Sequence, residues 1–534
     1  MKPFLRVAAF TSLSLILAMP LTAQPVVAPD PFARALAVAA GGEAVADRAI
    51  AAFYTARGHA PVWTVAGAEA LRADLFAALS RAEAHGLPVA RYDAAALANA
   101  FRAARTEGDR GRLEYAMTRA FLDFAHDLQG GALQPHDLLS AVKHQPQRLA
   151  PEAHLEALAR GDVAGWLAAL VPQGTAYAQL MRARMDLQAQ LAAGGWGATV
   201  PGDSLKPGQS GPAVVALRDR LVAMGFMPAS ATRDYDDSLR RAVQRFQLAH
   251  GLEANGIAGA STLRALNVAP EDRMKAIVVA LERERWLNTD RGARHIWVNL
   301  TDFTAKVVDQ GRVTFSTRAV IGKDVPDQQS PEFSDEMELV VINPSWSVPR
   351  SITVKEYLPL MQRNPNAAGH LQLVDSRGRV VSRGSVNFGK YSAKTFPFSM
   401  RQPPSSGNAL GLVKFLFPNE WNIYLHDTPS KSLFDHEVRA YSHGCIRLGD
   451  PFDFAYEILA GQVEDPRDYF HKVLNSGNET GVRLDQHIPI HITYFTAFPD
   501  AKGRINYRGD IYGRDAAIWQ ALQAAGVELM PHRS

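Results

Sequence analysis

The stretch YSHGCIRLGD, residues 441–450, contains the only cysteine in a chain of 534 residues. With no second cysteine in the chain, Cys445 cannot form an intramolecular disulfide. Composition alone favours a buried apolar filler, because free cysteine is among the most buried residue types. The neighbouring residues favour a nucleophile. Acyl transfer through cysteine needs a thiolate, a base to take its proton, a group to orient that base, and donors for the oxyanion. Gly444 lets the backbone approach a carbonyl with no Cβ in the way, so the amides around Gly444 and Cys445 are candidate oxyanion donors. His426 lies nineteen positions before Cys445, at the end of a strand-like run that can fold back against the thiol. A free thiol with a pKa of about 8.5 is mostly protonated at neutral pH, so a facing imidazole is required.

Each of these residues also has a plainer reading: His426 as a surface histidine, one of 16 histidines in the chain, His443 as a turn residue, Arg447 as a structural ion-pair partner. Together in SHGCIRL they point to a nucleophile site. Between the two histidines, His443 sits beside a glycine bend with little freedom to present a ring nitrogen to the sulfur. His426 comes from a separate strand end and is the expected base, at roughly 3 to 3.5 Å from the thiol.

Working outward, the surrounding sequence has strand periodicity. In HIWVNLTDFTAKVVDQGRVTFSTRAVIGK, Ile296, Val298 and Leu300 alternate with other residues, Gln310-Gly311 makes a turn, and Val313, Phe315 and Thr317 alternate again. MELVVINPSWSVP and KFLFPNEWNIYLHD supply further strands, and HITYFTAF (491–498) is expected to close the sheet. Residues 351–410 are polar with scattered Pro and Gly, an insertion that could cap the site. A β-rich catalytic domain is therefore expected over 290–500, with a C-terminal extension over 501–534.

Upstream, GGWGATVPGDSLKPGQSGP (194–212) marks a linker. After it, Val214, Leu217, Leu221 and Met224 fall at helical spacing before Gly225. Leu239, Ala242, Val243 and Phe246 share one face of a second helix that stops at Gly251, and a third short helix follows NG. This predicts a three-helix module over 205–268. Residues 24–200 are alanine-rich and helical in period, as in ALRADLFAALSRAEAHGL, with Leu71, Leu75, Ala78 and Leu79 at helical spacing and Gly86 as the stop. At the N-terminus, Lys2 and Arg6 precede an apolar run to Leu21, then Leu-Thr-Ala, which reads as a signal peptide over 1–23 cut after Ala23; an uncleaved anchor is the alternative. The expected location is outside the cytoplasm, with the membrane involved only if the signal is retained. Charge is balanced, 57 Lys+Arg against 54 Asp+Glu, which gives no sign of a nucleic-acid partner.

SHGCIRL closely resembles the active-site motif of the L,D-transpeptidase (YkuD-like) family, in which an S/T-x-G-C-[IV]-R core follows a histidine about nineteen residues upstream. Ser442, Gly444, Cys445, Ile446 and Arg447 match the core and His426 the base; Asn343, Pro344, Trp346, Val348 and Pro349 match an N-P-x-W-x-V-P segment. The three-helix module resembles a peptidoglycan-binding domain through Asp236, Leu239, Phe246, Gln247, His250, Gly251, Asn255, Gly256 and Leu263, and AFYTARGHAPVWT (52–64) resembles the N-terminal region of the large periplasmic YcbB-type enzymes.

The resemblance implies a multidomain α+β fold: helical scaffold, peptidoglycan-binding module, and β-rich catalytic domain with a capping insertion. It implies that Cys445 attacks the carbonyl between the third and fourth residues of a tetrapeptide stem and passes the acyl group to a diaminopimelate amine of a neighbouring stem. Donor and acceptor stems are then the partners, carbapenems the inhibitors, and no cofactor or metal is required. His426 would be the base, oriented by the backbone carbonyl after it or by Asp427. His443 and Ser442 would line the site, Arg447 would hold a stem carboxylate, and Tyr424 and Trp346 would line the donor groove. Water as acceptor would make an L,D-carboxypeptidase, a lipoprotein lysine would make an anchoring transpeptidase, and an unreactive Cys445 would leave a non-catalytic wall-binding protein.

Overall fold

The structure, a computed structural model, describes residues 30–529, so the expected signal peptide lies outside the described residues. From Pro31 to Ala192 the described chain is helical, packed around the long helix Glu107–Gly130. That helix starts at a reciprocal cap in which Thr106 and Asp109 each accept the other's backbone amide. Its buried Glu114 accepts hydrogen bonds from the amides of Val62, Trp63 and Thr64 and from the Tyr54 hydroxyl. The conspicuous Tyr54 and Trp63 of residues 52–64 are thus core residues tied to one buried carboxylate. In Glu69–Leu79, Leu75 and Leu79 face the core, and the helix ends before Gly86, with turns between.

The linker is not free chain: Leu205 pairs with Ala258, and Asn267 bonds both the N–H and the carbonyl of Val200. Helices Pro212–Ala223, Asp237–Ala249 and Ala260–Leu266 then enclose Val214, Leu217, Leu221, Leu239, Val243 and Phe246. Asp236 caps the second of these through the Leu239 amide.

The next element has no counterpart in the sequence reading. Helix Pro270–Trp286 fills the gap between module and catalytic domain and is buried from Ile277 to Trp286, including Glu282, Arg283, Glu284 and Arg285. Arg283 bonds Glu332 and Asp515, Arg514 bonds Glu332 at 2.9 Å, and Arg285 pairs with Glu282 at 2.6 Å. Helix Arg514–Ala524, from the C-terminal extension, packs Ile518 and Leu522 against Val278, Val279 and Trp286.

The catalytic domain is a sheet that closes on itself. Its ring strands are β1 (Arg294–Asn299), β2 (Thr304–Asp309), β3 (Arg312–Gly322), β4 (Phe333–Ile342), β5 (Val413–Leu416), β6 (Leu425–His426), β7 (Ile446–Leu448) and β8 (Thr480–Thr493). They run β3-β7-β6-β5-β4-β8-β1-β2, and β2 pairs back to β3. Ile296, Val298, Val340, Phe415, Leu425, Ile446 and Ile490 fill the interior. Val313 is exposed while Thr317, in alternation with it, is buried; β3 shifts register against β2 between Val307 and Val308. Of HITYFTAF, only His491–Thr493 lies in the sheet, as the end of β8. β8 begins at Thr480 and lies between β1 and β4, and Ala497–Pro499 leaves to pair with Ile505–Tyr507.

Between β4 and β5 the insertion forms its own four-stranded sheet and core. It takes in Trp346–Ser347, Gln372–Val374, Val380–Val381 and Ser399–Gln402, around Val348, Leu358, Met361, Leu373, Phe396 and Met400.

Because Arg283 is buried against two carboxylates, Arg283→Met should leave Glu332 and Asp515 undercompensated. We expect a loss of about 3–5 kcal/mol in chemical denaturation of the full chain. A change under about 1 kcal/mol would show that these ions are not a structural hub.

Candidate active site

The site is built on three adjacent strands. β6 pairs in parallel with β7, placing His426 opposite Arg447, and antiparallel with β5, placing His426 opposite Lys414. Residues directly opposite share a face, and since Phe415, Leu425 and Ile446 point into the core, Lys414, His426 and Arg447 form a row on the other face. This row borders a cavity of about 1050 Å³ that Cys445 also lines. The parallel pairing therefore brings together the histidine and cysteine that the sequence separates.

The nucleophile loop holds itself in shape. Gly444 has φ +116°, a conformation few side chains tolerate, and a Cβ there would come to 3.3 Å from Ile423. Its N–H donates to the Ser442 hydroxyl at 3.1 Å, and that hydroxyl donates to the Cys445 carbonyl. The Gly444 carbonyl accepts from the Ser330 hydroxyl at 2.6 Å, and Ser330 in turn accepts from the Gly322 amide. Two expectations are corrected by these bonds. Gly444 does not offer its N–H to an oxyanion, because Ser442 takes it; among the described residues the Cys445 N–H has no recorded acceptor and is the free donor. Ser442 is buried with its hydroxyl spent inside the loop, so it shapes the site and offers substrate no free hydroxyl.

His426 is buried, and its Nδ1 donates to the Asp427 carbonyl, the backbone orientation the motif implies. The Asp427 carboxylate instead accepts from Leu412 N, Thr428 N and Lys431 Nζ, bracing the turn. Burial first, then the Arg447 and Lys414 cations, depress the His426 pKa to about 3, the Asp427 and Leu410 carbonyls pulling the other way. Burial pushes the half-buried Cys445 thiol up to about 11 despite Tyr424 and Arg447. The resting pair is a neutral thiol and a neutral imidazole. The expected close approach is absent: no His426–Cys445 hydrogen bond is recorded, and Sγ turns to the Asn422 carbonyl at 3.6 Å. A neutral thiol is a donor, and the nearby carbonyl satisfies it.

Tyr424 lies beside the thiol and the Trp346 indole, and burial together with Cys445 raises its phenol. Both rings line the cavity, Trp346 from the insertion's sheet. Among the described residues the Arg447 side chain makes no ion pair, against the structural ion-pair reading, and its Nε is buried without a partner. His443 bonds Glu356 of the insertion at 2.8 Å, and Lys355 reaches Asp327 at 3.1 Å. These two contacts fasten the insertion over the cavity. Glu356 lies in a π-helical turn, Thr353–Tyr357, of the kind that occurs at functional sites.

Sequence reasoning missed Lys414, Asn422, Ser330 and Glu356. Lys414 carried a signal, the one cation alternating with Phe415 and Phe417 in KFLFP. The other three act through fold contacts distant in sequence.

Residues 293–475 match the model of the L,D-transpeptidase catalytic domain, 210–266 that of a "Putative peptidoglycan binding domain", and 48–183 that of a scaffold domain. A Haemophilus influenzae protein, "Putative L,D-transpeptidase", is 31% identical over 227 residues, which cover 42% of this chain and 45% of that relative, less than half of either. L,D-transpeptidase structures from Xylanimonas cellulosilytica and Stackebrandtia nassauensis are 15% and 14% identical, each covering 55% of this chain and 98% and 96% of theirs, with TM-scores of 0.17 and 0.21. Scores that low add nothing to the fold seen directly. The three matches follow one another along the chain as scaffold, peptidoglycan-binding and L,D-transpeptidase catalytic domains, and the last of them includes both His426 and Cys445: in this region the chain is similar to the L,D-transpeptidase family.

Proposed function

We propose that the protein crosslinks peptidoglycan stem peptides through an acyl-enzyme on Cys445. The observation that carries this reading is the placement of Cys445 and His426, by the parallel β6–β7 pairing, on one cavity roofed by the insertion. In the resting state the thiol is neutral, so the sulfur rotates from the Asn422 carbonyl towards His426 and gives up its proton as it attacks. The S–C bond forms at the carbonyl between the third and fourth residues of a tetrapeptide, and the Cys445 N–H faces the developing oxyanion. Collapse breaks the amide C–N bond, His426 returns its proton to the leaving amine, and D-alanine departs. The thioester then passes to the side-chain amine of diaminopimelate on a second stem: the new amide forms, the C–S bond breaks, and the thiol is regenerated. The size of the cavity and the tether to a wall-binding module suit an enzyme that holds two stems. The proposed location is the periplasm, after export, and carbapenems are proposed to acylate the same thiol.

Purified protein given disaccharide tetrapeptide should yield crosslinked dimer by mass spectrometry, and Cys445→Ala should yield none. Tripeptide as the sole product would make the enzyme a carboxypeptidase, and no turnover would make it a wall-binding relic. His426→Ala should slow carbapenem acylation by roughly 10²–10⁴-fold at neutral pH, partly restored as pH rises. His443→Ala should cost less and show no such recovery, because its contact is with Glu356; a pH-rescued His443 variant beside a near-normal His426 variant would contradict the assignment.

The thiol's raised pKa gives a further expectation. Thiolate is the reactive form, so the iodoacetamide alkylation rate of Cys445 should climb about tenfold per pH unit from pH 6 to 9, with no plateau. A plateau beginning near pH 5 would reveal a preformed thiolate–imidazolium pair and contradict the neutral resting state.

A further inference from the structure

Lys414 has no role in the reaction as described so far, yet it occupies the third place in the row across β5, β6 and β7. It is half-buried and lines the cavity. Among the described residues its side chain makes one long hydrogen bond, to the Ser345 carbonyl at 3.4 Å, and no ion pair. The acid nearest in its field is Glu479, whose carboxylate is engaged by the Ser345 amide and hydroxyl. Arg447, on the other side of His426, keeps its buried Nε without a partner and makes no ion pair among the described residues. The acids that line the cavity, Asp327 and Glu356, are paired with Lys355 and His443 at the insertion rim. Among the described residues the floor thus carries two cations flanking the base with no carboxylate in ion-pair contact with either, Glu479 acting on Lys414 only through its field. Burying uncompensated charge is costly, and the natural complement is an anionic ligand.

The order of the row says which anion Lys414 meets. The nucleophile immediately precedes β7, on the Arg447 side of His426. In acyl transfer the base first faces the attacking sulfur and then the leaving amine. The leaving residue therefore extends past His426 towards β5. Side chains on neighbouring strands are about 5 Å apart, a span that a lysine's four-carbon stem covers.

We propose that Lys414 is a specificity-determining residue that binds the free terminal carboxylate of the residue expelled from the donor. Arg447 is left for a carboxylate on the acyl side. The assignment rests on the acyl transfer at Cys445 proposed above. It makes the enzyme an exo-acting one, selective for peptides whose leaving residue is chain-terminal and ionised. Lysine binds carboxylate as a point charge, so arginine should substitute for it and a neutral side chain should not.

The test is kcat/KM for release of the fourth residue from two synthetic tetrapeptide donors that differ only in a terminal carboxylate or carboxamide. Wild type should favour the carboxylate by roughly 10–100-fold, the strength of one charge-assisted contact. Lys414→Met and Lys414→Gln should bring that ratio close to one, chiefly through KM, and Lys414→Arg should restore most of it. The acid-limb pKa of kcat/KM should also rise in the neutral variants, since the Lys414 cation contributes to the depression of His426. Equal use of both donors by wild type, or a neutral variant that lowers both donors alike and keeps the ratio, would overturn the assignment while leaving the transpeptidase reading intact. Failure of wild type to release the fourth residue from either donor, with Cys445 still alkylated by iodoacetamide, would instead overturn the transpeptidase reading itself.

Discussion

The site depends on the parallel pairing of two very short strands, Leu425–His426 with Ile446–Leu448. A two-residue strand has almost no stability alone. This one is held because β5 flanks it on the other side and because Leu425 and Ile446 are anchored in the barrel interior. A one-residue slip would turn every side chain to the opposite face, sending His426 into the core and Leu425 into the cavity. The hydrophobic pattern that fills the barrel is therefore also what aims the base.

Around this seam the chain uses buried charge as scaffolding. Arg283, Glu332, Arg514 and Asp515 join the interdomain helix, the loop before β4 and the C-terminal helix. Buried ion pairs rarely add net stability, since desolvation offsets the attraction; they are sensitive to geometry, and losing one partner costs heavily. Here the geometry reaches the nucleophile: Arg514 also bonds the Ser330 carbonyl at 2.7 Å, the Ser330 hydroxyl bonds the Gly444 carbonyl, and Tyr512 bonds the Gly322 carbonyl at 2.5 Å. The C-terminal extension thus braces the loop that presents Cys445 and is part of the catalytic unit.

Much of this was legible in the sequence because it was local. SHGCIRL, the nineteen-residue step back to His426, the helical periods of Leu217–Leu221 and Leu239–Phe246, and the strand period at Ile296–Val298 each report on their own neighbourhood. What escaped was non-local. ERERW at 282–286 is buried because Glu282 pairs with Arg285, Glu284 with Arg291, and Arg283 with Glu332 and with Asp515, the last more than two hundred residues away. The use of the Gly444 N–H by Ser442, and the turn of the thiol to Asn422 in place of His426, follow from side-chain geometry that no spacing encodes. Ring closure was equally hidden, since β8 lies far from its neighbour β1 in sequence.

The central claim is that Cys445, served by His426, forms a covalent intermediate with a stem peptide. The most direct measurement is intact-protein mass spectrometry with peptide mapping, after brief exposure of the full chain to a tetrapeptide donor blocked at its own side-chain amine. The account predicts a tripeptidyl thioester on Cys445, formed in step with released D-alanine and discharged when a free amine is added. D-alanine release without any adduct at Cys445, or an adduct mapped to another residue, would contradict it.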